Sequence, residues 1–120
     1  MPDTQKNFYK KFLGSLGERK AAKFLKKKGF KIIDKNYTTR FGEIDLIGLY
    51  EDFLVFIEVK TRTTKTYGEA LEAVDLKKQE RYKKTASLYL LTHREITLQP
   101  RFDVVEVYPN EINHIEDAFQ

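Results

Sequence analysis

The chain has 120 residues, enough for one domain, and its 41% hydrophobic content with nine Phe and seven Tyr can build a modest core. It has no Cys, which excludes disulfides, thiolate zinc sites, iron–sulfur clusters and a cysteine nucleophile. The 22 Lys and Arg against 18 Asp and Glu leave a net charge of +4, a mild bias toward polyanionic partners. No apolar run approaches the roughly 20 residues of a membrane span, and the N-terminus lacks the apolar stretch of a secretory signal. The expectation is a cytoplasmic protein with no membrane partner.

Residues 1–13 are polar with scattered aromatics and read as a flexible N-terminal segment, leaving 14–120 as a single domain. Leu16, Ala21, Ala22 and Leu25 recur at helical spacing, so a first helix is expected over Ser15–Lys28, stopped by Gly29. Ser15-Leu16-Gly17-Glu18 fits an S-x-x-E capping box. A strand follows over Phe30–Thr39, and then two strong strand signals, Glu43–Leu49 and Leu54–Arg62, joined by a hairpin-sized link at Glu51-Asp52. Residues 63–68 read as a loop. A second helix is expected from an Asp75 N-cap to Leu91, with Leu76, Gln79, Tyr82, Ala86, Tyr89 and Leu90 on one stripe. A strand over Arg101–Tyr108 lies between Pro100 and Pro109, and Ile112, Ile115 and Phe119 suggest one more short pairing strand. The order α-β-β-β-α-β predicts an α/β fold with a mixed central sheet flanked by helices.

Asp and Glu are poor strand formers, yet Glu43 and Asp45 sit in one apolar strand and Glu58 and Lys60 in the next. Strict alternation would place Glu43, Asp45 and Ile47 on one face, and Phe56, Glu58 and Lys60 on one face of the partner strand. Folding the hairpin about Glu51-Asp52 sets Asp45 opposite Glu58 and Glu43 opposite Lys60. Directly opposed like charges repel, so two carboxylates there call for a compensating cation, and Mg²⁺ or Mn²⁺ suits hard oxygen ligands. Glu18 sits on the apolar, sheet-facing stripe of the first helix and either points into the same site or closes the capping box. Arg40, Arg62, Lys65 and Lys78 could flank the acids and hold phosphates. Gln79 stands apart from the basic run around it because it shares the Tyr82/Ala86 stripe. His93 and His114 stand alone, in a turn and in the tail, and read as surface residues. No phosphate-cradling glycine motif is present, which argues against an NTPase or a dinucleotide enzyme.

The string Asp45-x12-Glu58-Val59-Lys60 resembles the D…(D/E)-x-K signature of the PD-(D/E)XK nuclease superfamily. A wider set of residues resembles the YraN-like uncharacterised protein family 0102, itself similar to archaeal Holliday-junction resolvases. That set includes Gly17-Glu18, Asn36-Tyr37, Gly42 to Ile47, Phe56 to Arg62 with Thr61, Lys78, Arg101 to Val105 and Ala118-Phe119. The resemblance implies a restriction-endonuclease-like core and metal-dependent cleavage of nucleic-acid phosphodiesters. It implies Asp45 and Glu58 as metal ligands with the Val59 carbonyl, Lys60 as the group that steadies charge or orients water, and Glu18 as a further acid bound indirectly or to a second ion. Ile44 stands where the superfamily has proline, and the Q-x-x-x-Y element of its exonuclease branch is absent. So small a domain offers little surface for base readout, so shape recognition of branched or structured DNA is expected, with a homodimer as one way to achieve it. The rival expectation is a nucleic-acid-binding module that keeps the fold without turnover. A third is a protein-binding adaptor using Tyr37, Phe41 and Tyr67.

Overall fold

The computed structural model describes residues 4–63 and 75–120, with side chains from Lys11 onward. Its elements are α1 (Thr4–Lys28), β1 (Lys31–Thr39), β2 (Gly42–Tyr50), β3 (Phe53–Thr61), α2 (Leu76–Thr92), β4 (Gln99–Val107) and β5 (Ile112–Phe119). The five strands form one mixed sheet in the order β1-β2-β3-β4-β5. Every neighbouring pair is antiparallel except β3 and β4, which run parallel with α2 between them in sequence. This α/β arrangement is compatible with a restriction-endonuclease-like core, and β5 is the further pairing strand that Ile112, Ile115 and Phe119 suggest. No helix among the described residues is long and apolar enough to cross a membrane.

The two helices cover opposite faces. Ala21, Ala22 and Leu25 of α1 pack with Leu46, Val55, Ile57 and Val105. Tyr82, Ala86 and Tyr89 of α2 pack with Ile44, Ile47, Leu54, Phe56 and Val104. Strand β3 follows the period-2 rule throughout: Val55, Ile57 and Val59 face α1, while Leu54 and Phe56 face α2. Its hairpin register with β2 is the expected one, with Ile47 opposite Phe56 and Leu46 opposite Ile57. Asp75 caps α2 by accepting from the Lys78 amide, at 2.9 Å.

Four local expectations are corrected. Helix α1 starts at Thr4, so Ser15 is an interior, exposed helical residue and the capping box does not form. Gly14 lies inside the helix and costs it about 1 kcal/mol relative to Ala, and the good formers Gln, Lys and Leu around it carry the helix through. Leu76 is 78% exposed rather than on the buried stripe, since it is the first residue of its helix. His114 is not a free surface residue. Its Nε2 lies 2.7 Å from Asp103 Oδ2, and Asp103 also accepts from Arg101 Nε and Nη2 and from the Asp117 amide. These bonds, from His114 first, outweigh burial and hold the Asp103 carboxyl below its ordinary range. They pin β5 to β4 where the ladder shifts register. His93 stacks on Tyr89 with ring centroids 3.8 Å apart and caps α2.

Gly17 sets the depth of α1 against the sheet. A Cβ there would collide with Thr61 Oγ1 at the end of β3 and sit 3.3 Å from Thr61 Cβ. Gly17→Ala should therefore destabilise the protein by about 1–2 kcal/mol, the overpacking cost less the gain in helix propensity. In a Thr61→Ala background the same change should be neutral or stabilising. Melting curves of the four proteins read this cycle, and equal effects in both backgrounds would contradict the contact.

Candidate functional site

The site is made by a break in the alternation of β2. Ile44 and Ile47 both pack toward α2, although they are three residues apart, and Leu46 packs toward α1. The two-residue period therefore fails at Asp45. The ladder between β2 and β3 ends at Leu46 and Ile57. One step on, the Asp45 side chain takes the place of a ladder acceptor, and Oδ2 accepts from the Val59 amide at 2.8 Å. On the other flank Asn36 of β1 adopts a left-handed conformation, φ 51°, which lets that strand follow the same turn-over.

The break corrects the expected pairing of Glu43 with Lys60. Glu43 comes instead to the α1 side, beside Glu18, and carboxylate oxygens of Glu18, Glu43 and Asp45 all lie within 4.8 Å of one another. Asn36 bridges two of them, its amide nitrogen donating to Glu43 Oε1 at 2.9 Å and to Glu18 Oε2 at 3.1 Å. Of the two roles open to Glu18, the structure takes the one at the site. Burial, then the charge of Glu58, pushes Asp45 up to about 7 against the Val59 bond, with Glu18 and Glu43 adding to the rise. Burial and the neighbouring Glu43 likewise raise Glu18.

Glu58 belongs to a second group. Its side chain is 8% exposed and points toward α2, where Oε1 accepts from Lys78 Nζ at 2.8 Å and pairs with Lys60 Nζ at 3.0 Å. The Tyr82 hydroxyl donates to Oε2. Burial and the adjacent Lys78 lower the Lys60 pKa, while in Lys78 the bonds to Glu58 and Lys60 overcome burial and raise it. The two carboxylates expected to share one ion are thus split between an acidic trio and a cation-bound group, and they remain close enough for Glu58 to act on Asp45.

Three carboxylates at this mutual separation, with Asp45 and Glu18 partly desolvated and Glu43 open to solvent, suit a hard divalent cation such as Mg²⁺ or Mn²⁺, which takes oxygen ligands. Val59 enters through its amide, which holds Asp45 in place. Thr61 lies against Gly17 of α1. Gln79 is half-buried in the first turn of α2 and donates its amide to the Asp75 carbonyl. Arg62 is half-buried, with Nε 3.9 Å from Glu106 Oε2. Arg40 is exposed, its guanidinium 4.8 Å from the Phe41 ring centroid. Lys65 and Tyr67 lie outside the described residues. Two residues escaped the sequence reading. Tyr82 carried a usable signal, standing four residues after Lys78 on the same helical face. Asn36 carried only its place in the family string.

Because Asp45 titrates near 7 when folded and near 3.8 when unfolded, the folded chain binds more protons between these values, and stability falls as pH rises through that window. Asp45→Asn should then be more stable than the wild type at pH 8, in chelator, by up to about 4 kcal/mol, for a rise from 3.8 to about 7 at about 1.4 kcal/mol per pH unit. The difference should vanish near pH 4. Denaturant titrations at the two pH values check this, and a pH-independent difference would contradict the assignment.

Residues 17–107 match the family described as Uncharacterised protein family UPF0102. Among curated relatives, a UPF0102 protein of Caldanaerobacter subterraneus subsp. tengcongensis is 47% identical over 121 aligned positions, covering 95% of this chain and 99% of the relative. A UPF0102 protein of Alkaliphilus oremlandii is 46% identical over 91% of this chain and 98% of its own length. One from Clostridioides difficile is 43% identical over 88% and 95%. With the match spanning most of the domain, including every residue of the acidic trio and the Glu58 group, this chain belongs to the uncharacterised protein family UPF0102.

Proposed function

We propose that this protein is a Mg²⁺- or Mn²⁺-dependent endonuclease that hydrolyses phosphodiester bonds of branched or otherwise structured DNA, similar to Holliday-junction resolvases. The observation that carries the reading is the abutment of two groups of opposite character. A carboxylate trio, half-buried Glu18 and Asp45 with exposed Glu43, meets the cations Lys60 and Lys78 held on Glu58. A divalent ion on the trio would offset the carboxylates, neutralise phosphate charge and lower the pKa of a bound water.

The chain's own residues supply the rest. Glu58 Oε1 fixes both ammonium groups, and the Tyr82 hydroxyl fixes Oε2, so the cations are positioned before substrate arrives. Lys60, with its lowered pKa, steadies the charge that develops on the phosphate and can orient the attacking water. Lys78 keeps its proton and serves as a fixed positive charge. Arg40 and Arg62 remain as phosphate contacts outside this centre. In this reading the protein is cytoplasmic, and a homodimer would suit a substrate with two-fold shape.

A second reading is a nucleic-acid-binding module without turnover. It draws on one observation: both oxygens of Glu58 are already taken, by Lys60, Lys78 and Tyr82. The adaptor reading loses ground, because Tyr37 packs edge-on against Tyr89 and Phe41 is half-buried beneath Arg40 and Lys84.

Single-stranded, duplex, flapped and four-way substrates assayed with Mg²⁺, Mn²⁺ and chelator test the proposal. Cleavage should need the metal and be fastest on branched DNA. Asp45→Asn, Glu58→Gln and Lys60→Ala should each cut the rate by about 100-fold or more while affinity stays within a few-fold, because affinity rests mainly on other phosphate contacts. A band shift without cleavage in either metal would favour the second reading, and wild-type rates in all three variants would place the chemistry elsewhere.

A further inference from the structure

The site uses few of the protein's cations. Between Arg19 and Lys35 the chain carries eight Lys and Arg against a single acid, Asp34. Lys26, Lys27 and Lys28 lie in the last turn of α1, where the helix dipole favours positive charge. The dipole gives no reason for Arg19, Lys20, Lys23 or Lys35.

The exposed side of α1 arranges these charges in a line. Lys20, Lys23 and Lys27 follow one another at helical spacing, and all are exposed. They span about 10 Å of helix axis, close to the axial length of three phosphates on one strand of a duplex. A shallow groove of about 450 Å³ runs on one flank between α1 and β1, lined by Arg19, Ala22, Lys23, Lys26, Lys27 and Lys35. A second, of about 400 Å³, runs on the other flank against the β4–β5 turn, where Lys23 and Lys27 recur and Lys20 joins them, with Tyr108, Pro109 and the single acid Glu111.

Two residues lining the first groove, Arg19 and Lys35, stand next to the acidic trio. Arg19 directly follows Glu18, the charge of Lys35 acts on Glu18, and Asn36, next to Lys35, bridges Glu18 and Glu43. We propose that the outward face of α1 is a phosphate-tracking surface for double-stranded nucleic acid, with Lys20, Lys23 and Lys27 on its crest and Arg19, Lys26 and Lys35 in the groove leading to the acidic site. This deepens the nuclease reading by naming the face that carries the polyanion.

A duplex fits better than a single strand. Binding single strands draws on aromatic faces for stacking. Among the described residues, the two rings that border Lys20, Lys23 and Lys27 are committed elsewhere: Phe24 carries Lys28 at 5.4 Å and meets the His114 ring edge-on, and Tyr108 is 8% exposed with its hydroxyl bonded to Glu106, while the exposed Phe12 lies about two turns before Lys20. A membrane surface fits less well, because an interfacial helix needs an apolar outer face and this one presents lysines.

The test is equilibrium binding of a fluorescent 20-base-pair duplex by the full chain in chelator, across a range of salt. In K20Q/K23Q/K27Q the slope of log K against log salt should be shallower by about 3, since each lost duplex contact removes about 0.9. Affinity at low salt should fall at least tenfold. Gln is a good helix former, so melting should stay within a few degrees of the wild type. K20R/K23R/K27R should bind as the wild type does. An unchanged slope in the Gln variant overturns the proposal, as does equal loss in the Arg variant, or binding to phosphatidylserine vesicles in place of duplex. The chelator keeps this separate from cleavage. A protein that binds duplex with the expected slope but never cleaves with Mn²⁺ sinks the nuclease reading and leaves this surface standing. One that cleaves while the Gln variant keeps its slope sinks only this proposal.

Discussion

One hydrogen bond organises the functional end of the molecule: the Asp45 carboxylate accepting from the Val59 amide. By standing in for a backbone acceptor, this side chain lets the β2–β3 ladder end at Leu46 and Ile57 without leaving the Val59 amide unpaired. Beyond that point β2 is free to turn over. Ile44 can then face α2 while Glu43 faces α1. Had the ladder continued, Glu43 would have stood over β3 and Glu18 would have met no second acid. The cost of the arrangement is electrostatic. Burial and three nearby carboxylates raise Asp45 to about 7, and the folded protein carries that strain at neutral pH.

The opposed charges are kept apart by the sheet's own geometry. Glu58 follows the alternation of β3 to the α2 side, where the first turns of α2 meet it with Lys78 and Tyr82. The acidic trio lies where α1 and the turned-over part of β2 converge. Close packing at Gly17 brings α1 near enough for Glu18 to take part, which ties a core contact to the composition of the site. The bridge from Asn36 adds a fixed donor between two carboxylates, and its left-handed backbone, uncommon outside glycine, is held between Lys35 and Tyr37, which pair with Leu46 and Ile44 of β2.

Where the period is regular, the sequence pattern was sufficient. Strand β3, the register of its hairpin, the Asp75 cap and the Tyr82–Ala86–Tyr89 stripe follow from alternation, helical spacing and turn chemistry. Asp45, Glu58, Lys60 and Glu18 were conspicuous because charged residues in apolar strands, and on a sheet-facing helical stripe, need a reason. The turn-over of β2 was not legible. It depends on a side-chain-to-backbone bond across the sheet and on the φ of Asn36, neither of which leaves a mark in the pattern of apolar residues. His114 is opaque for a related reason. Its partner Asp103, itself held by Arg101, lies on the neighbouring strand, and a lone His in a tail gives no sign of it. The start of α1 at Thr4 is not legible either, because Ser15-Leu16-Gly17-Glu18 matches a capping box and the polar residues before it lack a helical apolar period.

In the proposed function Glu18, Glu43 and Asp45, rather than Asp45 with Glu58, would hold the divalent cation. Mn²⁺ titration of the metal-free protein at pH 8, followed by loss of the free-ion electron paramagnetic resonance signal, tests it most directly. The account predicts saturable binding that Glu18→Gln and Glu43→Gln each weaken at least tenfold and that Glu58→Gln largely preserves. Binding lost in Glu58→Gln but intact in Glu43→Gln, or no binding at all, would contradict it.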